Sequence, residues 1–101
     1  SFPTRRSSDL VNIAPLGTAV GDGVVTEQRP FLIAGQLVDE PGLVKIISER
    51  AAADPDFRVY VRADKNAEYR TTKRAIRACA AAGVFDIIFG TYQAKEAGEE
   101  G

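Results

Sequence analysis

The sequence predicts a small α+β or α/β domain. It is a two-layer sandwich of order (β)β-α-β-α-β, with two helices on one face of a mixed sheet. Three observations carry that prediction. Residues 57–63 alternate strictly: Phe57, Val59, Val61 and Ala63 point one way, and Arg58, Tyr60 and Arg62 the other. That is the pattern of a strand with one covered face. Two stretches with apolar residues three and four apart flank this strand. A final apolar run, Ile87-Ile88-Phe89, closes the series.

The elements follow in chain order. Residues 1–10, SFPTRRSSDL, are polar, basic and aperiodic. They resemble the translated read-through of a sequencing adapter in a gene truncated at its 5′ end; the other reading is a disordered arm. Either way they are set outside the fold as a non-native or disordered leader. Residues 11–23 read as an irregular linker, punctuated by Pro15, Gly17, Gly21 and Gly23, with Gly21-Asp22-Gly23 as a turn. The domain proper is expected over residues 24–93. Val24-Val25-Thr26 and Phe31-Leu32-Ile33 are β-prone, the second starting after Pro30. They are expected to pair as a hairpin or to stand as short edge strands.

The first helix opens at Asp39 or Glu40, with Pro41 in its first turn. Leu43, Ile46, Ile47 and Arg50 or Ala51 recur at helical spacing, and Asp54-Pro55 ends the helix. After the strand at 57–63, Asp64-Lys65-Asn66 is a polar turn, and Asn66 is the expected N-cap of the second helix. Tyr69, Thr72, Ile76 and Cys79 or Ala80 form its expected inward stripe. Gly83 is its left-handed stop. The run at Ile87-Ile88-Phe89 reads as a last strand covered on both faces. Residues 94–101 are a polar, acidic tail.

Composition removes several functions. The 101-residue chain has no histidine and one cysteine. Without histidine there is no His-based triad, no HExxH site and no ordinary zinc set. With one thiol there is no internal disulfide. Net charge is −1, so the chain as a whole is no polyanion binder. No apolar run reaches the roughly 18 to 20 residues that span a bilayer. No nucleophile–base pair, metal set or phosphate loop assembles, so the reading is no enzyme, no cofactor and no metal.

Residues 57–92 read FRVYVRADKNAEYRTTKRAIRACAAAGVFDIIFGTY. Arg62-Ala63-Asp64 at the strand end, Tyr69 opening a helix, Ala82-Gly83-Val84 closing it and Thr91 at the last strand's end resemble the C-terminal half of ExbD/TolR biopolymer-transport proteins. Residues 35–53 resemble that family's short strand, turn and first helix. The resemblance implies a single-pass subunit of a proton-driven motor in the inner membrane. Its N-terminal membrane helix carries the proton-handling carboxylate inside an ExbB/TolQ-like channel protein. Its C-terminal domain stands in the periplasm, forms a homodimer, and meets TonB/TolA-like partners or peptidoglycan. This sequence departs from the pattern by lacking the membrane helix, so no proton-carrying residue is assigned. Asp9 and Asp22 lie in polar sequence and are not candidates. The other reading of the element order is a small ligand-binding or regulatory module.

Each remaining candidate has a plain structural meaning beside its functional one. Asp64 at a strand end is foremost a turn residue. Cys79, on an inward stripe with no histidine to activate it, is a buried small apolar group. The basic set Arg58, Arg62, Lys65, Arg70, Lys73, Arg74 and Arg77 is foremost a solvated face, and nucleic acid is not the expected partner. Arg58, Tyr60 and Arg62 share the strand face turned from the core. Arginine and tyrosine are favoured at interfaces, so these three are the candidate partner-contact patch.

Overall fold

The computed structural model describes residues 7–92. The chain order is β1 (Ser8–Ile13), β2 (Ala19–Val20), β3 (Gly23–Val24), β4 (Phe31–Ile33), β5 (Gln36–Val38), α1 (Glu40–Ala53), β6 (Arg58–Asp64), α2 (Tyr69–Ala81) and β7 (Ile87–Tyr92). Five strands form one mixed sheet in the order β5-β4-β1-β6-β7, and β2 and β3 form a separate hairpin. β1 is parallel to β6, and β6 to β7; β1 is antiparallel to β4, and β4 to β5. One core joins both helices to one sheet face: Leu43 and Ile47 of α1, Ala75, Ala78 and Cys79 of α2, and Val11, Ile13, Phe31, Ile33, Val59 and Val61 from the strands. The expected two-layer sandwich with both helices on one face is therefore the observed architecture.

The first 23 residues need correction. Ser8–Ile13 is neither leader nor linker but the sheet's central strand, paired on both sides. Val11 and Ile13 alternate inward with Asp9, a period too short to see before the partners are known. Asp9 does not lie in polar surroundings either. Its side chain is largely covered, with Oδ2 3.5 Å from Nε of Arg50 on α1. The folded unit thus begins well before residue 24. Residues 1–6 and the tail at 94–101 lie outside the described residues.

The expected pairing of the two β-prone pieces is also corrected. Gly23–Val24 pairs with Ala19–Val20, across the predicted turn at Gly21-Asp22. Phe31–Ile33 pairs instead with β1 and β5. Phe31 and Ile33 carry enough apolar surface to be taken into the main core, and both are buried. The β4–β5 turn consists of Ala34 and Gly35, at φ 51° and 78°. Two positive φ values in a two-residue loop are what a twisted hairpin requires.

The helices show why their ends lie where they do. Asp39 caps α1, its Oδ1 accepting from the Gly42 amide at 2.8 Å. A Cβ on Gly42 would sit 2.9 Å from that oxygen, so the cap needs glycine there. Asp54 ends α1 in extended backbone before Pro55. Helix α2 starts later than expected. Asn66 is not its N-cap: its amide donates to Asp64 Oδ1 at 2.8 Å, and the Ala67 amide donates to the Asp64 carbonyl. That turn uses up residues 64–67 and moves the cap to Glu68. The stripe is corrected as well. Thr71, Thr72, Ala75, Ala78 and Cys79 are buried, whereas Tyr69 is 69% exposed and Ile76 only half-buried. Helical phase is the reason: at about 100° per residue Tyr69 and Ile76 fall roughly 120° and 100° round from Ala75, off the buried stripe. At its C-terminus, Gly83 is left-handed (φ 88°), and the Val84 amide reaches the Cys79 carbonyl at 3.0 Å. This is a Schellman closure, with Val84 buried as its apolar partner.

The last strand is an edge and is not covered on both faces: Ile88 and Phe89 are exposed. Both helices lie on the other side of Ile88, and Phe89 sits at the sheet margin.

Two stability outcomes follow. Ala34→Gly relieves a left-handed alanine, which costs about 1 to 2 kcal/mol against glycine; urea denaturation should show a stability gain of roughly 1 kcal/mol with an unchanged slope. Leu43→Ala empties a fully covered site between α1 and the sheet, and the same titration should show a loss of about 2 to 5 kcal/mol.

Candidate functional site

The sheet face turned away from the helices is built by the alternation of three strands. On β6, Arg58, Tyr60 and Arg62 stand on it, opposite buried Val59, Val61 and Ala63. In register, Leu10 of β1 lies beside Tyr60, and Asn12 beside Arg62. On the other side, Ile88 of β7 lies beside Tyr60, and Gly90 beside Arg62. Leu10, Tyr60 and Ile88 are 39%, 37% and 40% exposed, so an apolar row crosses the three strands in solvent. A groove of about 420 Å3 runs along this row, with Arg62 and Gly90 in its lining. Gly90 opens it: a Cβ there would meet nothing within 4 Å.

The two arginines of the patch are held in place. Arg58 pairs with Asp86, Nη2 to Oδ2 at 3.6 Å. Arg62 lies over the ring of Tyr92, its guanidinium carbon 4.3 Å from the centroid, a cation–π geometry. The three expected residues therefore do fall together on one open face. Leu10, Ile88 and Tyr92 join them unforeseen. Leu10 was legible once β1 was admitted as a strand, since it alternates with Val11. Ile88 was hidden inside an apolar triplet with no visible period.

The other candidates resolve differently. Asp64 makes the Asx turn just described and touches no cluster of chemistry-bearing groups. The basic run is mostly exposed, and several of its members have partners. Arg70 binds Glu68 at 2.7 Å and also Glu27, and Arg74 binds Glu40 at 3.0 Å. Lys73 lies 5.3 Å from the centroid of the Tyr69 ring. Cys79 is fully covered, and burial pushes its thiol up to about 11. Among the described residues no group of His, Cys, Asp and Glu could hold a metal ion. None of their helices is long and apolar enough to cross a membrane.

Comparison with known proteins gives the family. Residues 3–94 match the family model described as biopolymer transport protein ExbD/TolR. That match takes in all seven strands and both helices. Comparison with curated proteins gives no match.

The thiol sets a pH window. Its folded value lies above its ordinary value of 9.0, so the unfolded chain loses that proton first. Stability from this group is whole below pH 9 and falls as pH rises toward about 11. Denaturant titrations at stepped pH should show that loss, and Cys79→Ala should lack it. Iodoacetamide should leave the native thiol unmodified near neutral pH and label it in urea. Asp64→Ala should cost about 1 kcal/mol through its turn, by the same titrations.

Proposed function

The chain belongs to the ExbD/TolR family of biopolymer-transport proteins, and on that premise we propose that it is the non-enzymatic periplasmic domain of a proton-motive-force-coupled subunit. The family's role is energy transduction for biopolymer transport, and its members are membrane-associated. In this reading an N-terminal membrane helix, working with an ExbB/TolQ-like channel protein, responds to proton flow. The described domain passes that response on to a TonB/TolA-like partner, as a homodimer, or holds it against peptidoglycan.

One observation supports placing the contact on the open sheet face. It offers an apolar row, Leu10, Tyr60 and Ile88, bordered by arginines already fixed by Asp86 and Tyr92. Side chains immobilised before binding lose less entropy when a partner arrives. Tyrosine and arginine are also the residue types over-represented among interface hot spots. A rigid sheet behind them suits mechanical transmission, because its strands are joined by hydrogen bonds rather than by loops. The face holds no nucleophile–base pair, so its chemistry is recognition.

The test is site-specific photo-crosslinking in cells that carry the intact gene. Probes at Tyr60 and Ile88 should trap a partner of the membrane complex, with yields that change when a protonophore collapses the proton gradient. A probe at Glu49, on the exposed side of α1, should trap none. Absence of products from the sheet face, or products indifferent to the protonophore, would overturn the reading in favour of a ligand-binding module. Tyr60→Ala should weaken the captured complex about fivefold or more, the ~1 kcal/mol mark of an interface hot spot. Gly90→Val, which meets no steric obstacle, should fill the groove and weaken the complex while leaving thermal stability unchanged.

A further inference from the structure

The β2–β3 hairpin stands apart from the rest of the molecule. The backbone hydrogen bonds that brace its base close within its own segment: Gly17 to the Val25 carbonyl at 2.8 Å, Val25 to the Thr18 carbonyl at 2.9 Å, and Thr18 to the Pro15 carbonyl at 3.1 Å. Its two strands pair only with each other. Among the described residues no hydrogen bond ties residues 17–25 to the five-stranded sheet. The hairpin meets β5 through Gly23, where an added Cβ would come 3.1 Å from Leu37 Cδ1. Beside that contact a groove of about 450 Å3 runs between Val20–Gly23 and Gly35–Leu37. The hairpin's strands are therefore seated on β5 without being knitted to it, and Val25 at its base, 2% exposed, is its buried anchor.

The fastening lies just beyond the hairpin. Glu27, in the return to β4, pairs with Arg70 of α2 and lies 3.9 Å from Arg74 Nη1. Arg74 in turn bonds Glu40 at the start of α1. The side chains of Glu27 and Arg70 are 49% and 62% exposed. Ion pairs this open are worth about 0.2 to 1 kcal/mol each and are screened by salt. A clip of that strength holds a segment without locking it.

We propose that the β2–β3 hairpin is a salt-sensitive flap, clipped by Glu27 to Arg70 and Arg74, which covers Leu37 and the edge strand β5 and uncovers them when the clip opens. Pro15-Leu16 on one side and residues 28–29 on the other are its hinges, so that the flap carries Glu27 with it. Gly17 has φ 90°, a backbone setting that costs glycine nothing. A two-stranded hairpin off its support is only marginally stable in water. Release consequently appears as hydrogen exchange at the Gly17, Thr18 and Val25 amides, ahead of exchange in β1 and β6.

Hydrogen exchange of the 101-residue chain tests this. Raising salt to about 1 M, where the screening length is about 3 Å, should speed exchange at those three amides by about threefold to tenfold. It should leave β1 and β6 unchanged. Glu27→Gln should produce the same acceleration at low salt and abolish the further effect of salt. Glu49→Gln should do neither. Gly23→Val should open the flap at every salt concentration by crowding Leu37. The proposal is overturned if the hairpin amides exchange together with β1 and β6, or if neither salt nor Glu27→Gln moves them.

Discussion

Everything in this domain depends on the parallel pairing of β1 with β6. Val11 lies opposite Val61 and Ile13 opposite Ala63, and all four are buried. β1 also carries β4 on its other side. It is thus the sole link in the sheet between the β4–β5 hairpin and the β6-α2-β7 unit. Its partners lie some fifty residues away in sequence, so closing this contact costs more chain entropy than any local hairpin does. The return is a strand with an apolar face that both helices then cover.

That cover is one-sided: both helices pack on one face of the sheet and leave the other open. The described residues supply two helices, enough for a single layer. The opposite sheet face carries Arg58 and Arg62 beside the apolar row of Leu10, Tyr60 and Ile88. On α2 the burial falls on small side chains, Ala75, Ala78 and Cys79 among them. The same economy explains the cysteine, which serves as a small apolar filler and is held far from its reactive form.

The charges hold elements to one another more than they advertise to polyanions. Arg50 reaches Asp9, Arg58 reaches Asp86, and Arg70 and Arg74 gather Glu27, Glu40 and Glu68. Each pair spans two elements or fixes a turn. Within the basic run, Arg58, Arg70 and Arg74 are paired with carboxylates, and Arg62 and Lys73 lie against tyrosine rings.

Much of this was legible from local pattern. The strict alternation of residues 57–63, the Asp39-Pro41 start, the Asp54-Pro55 stop and the Gly83 closure each rest on interactions within a few residues, and each stands where the pattern put it. The patch of Arg58, Tyr60 and Arg62 followed from the same alternation. What local pattern could not supply was anything decided by a distant partner. Ser8–Ile13 became a central strand only because β6 and β4 flank it. Phe31–Ile33 left the expected hairpin because the core had a place for Phe31. Asn66 lost the cap because Asp64 claimed its amide. The sequence by itself determined the helices, the best strand and the side of it that faces solvent, since these depend on periodicity and backbone preference. Tertiary structure alone decided which strand is central, which edges stay open and which charges are paired, since those depend on burial shared between residues far apart in the chain.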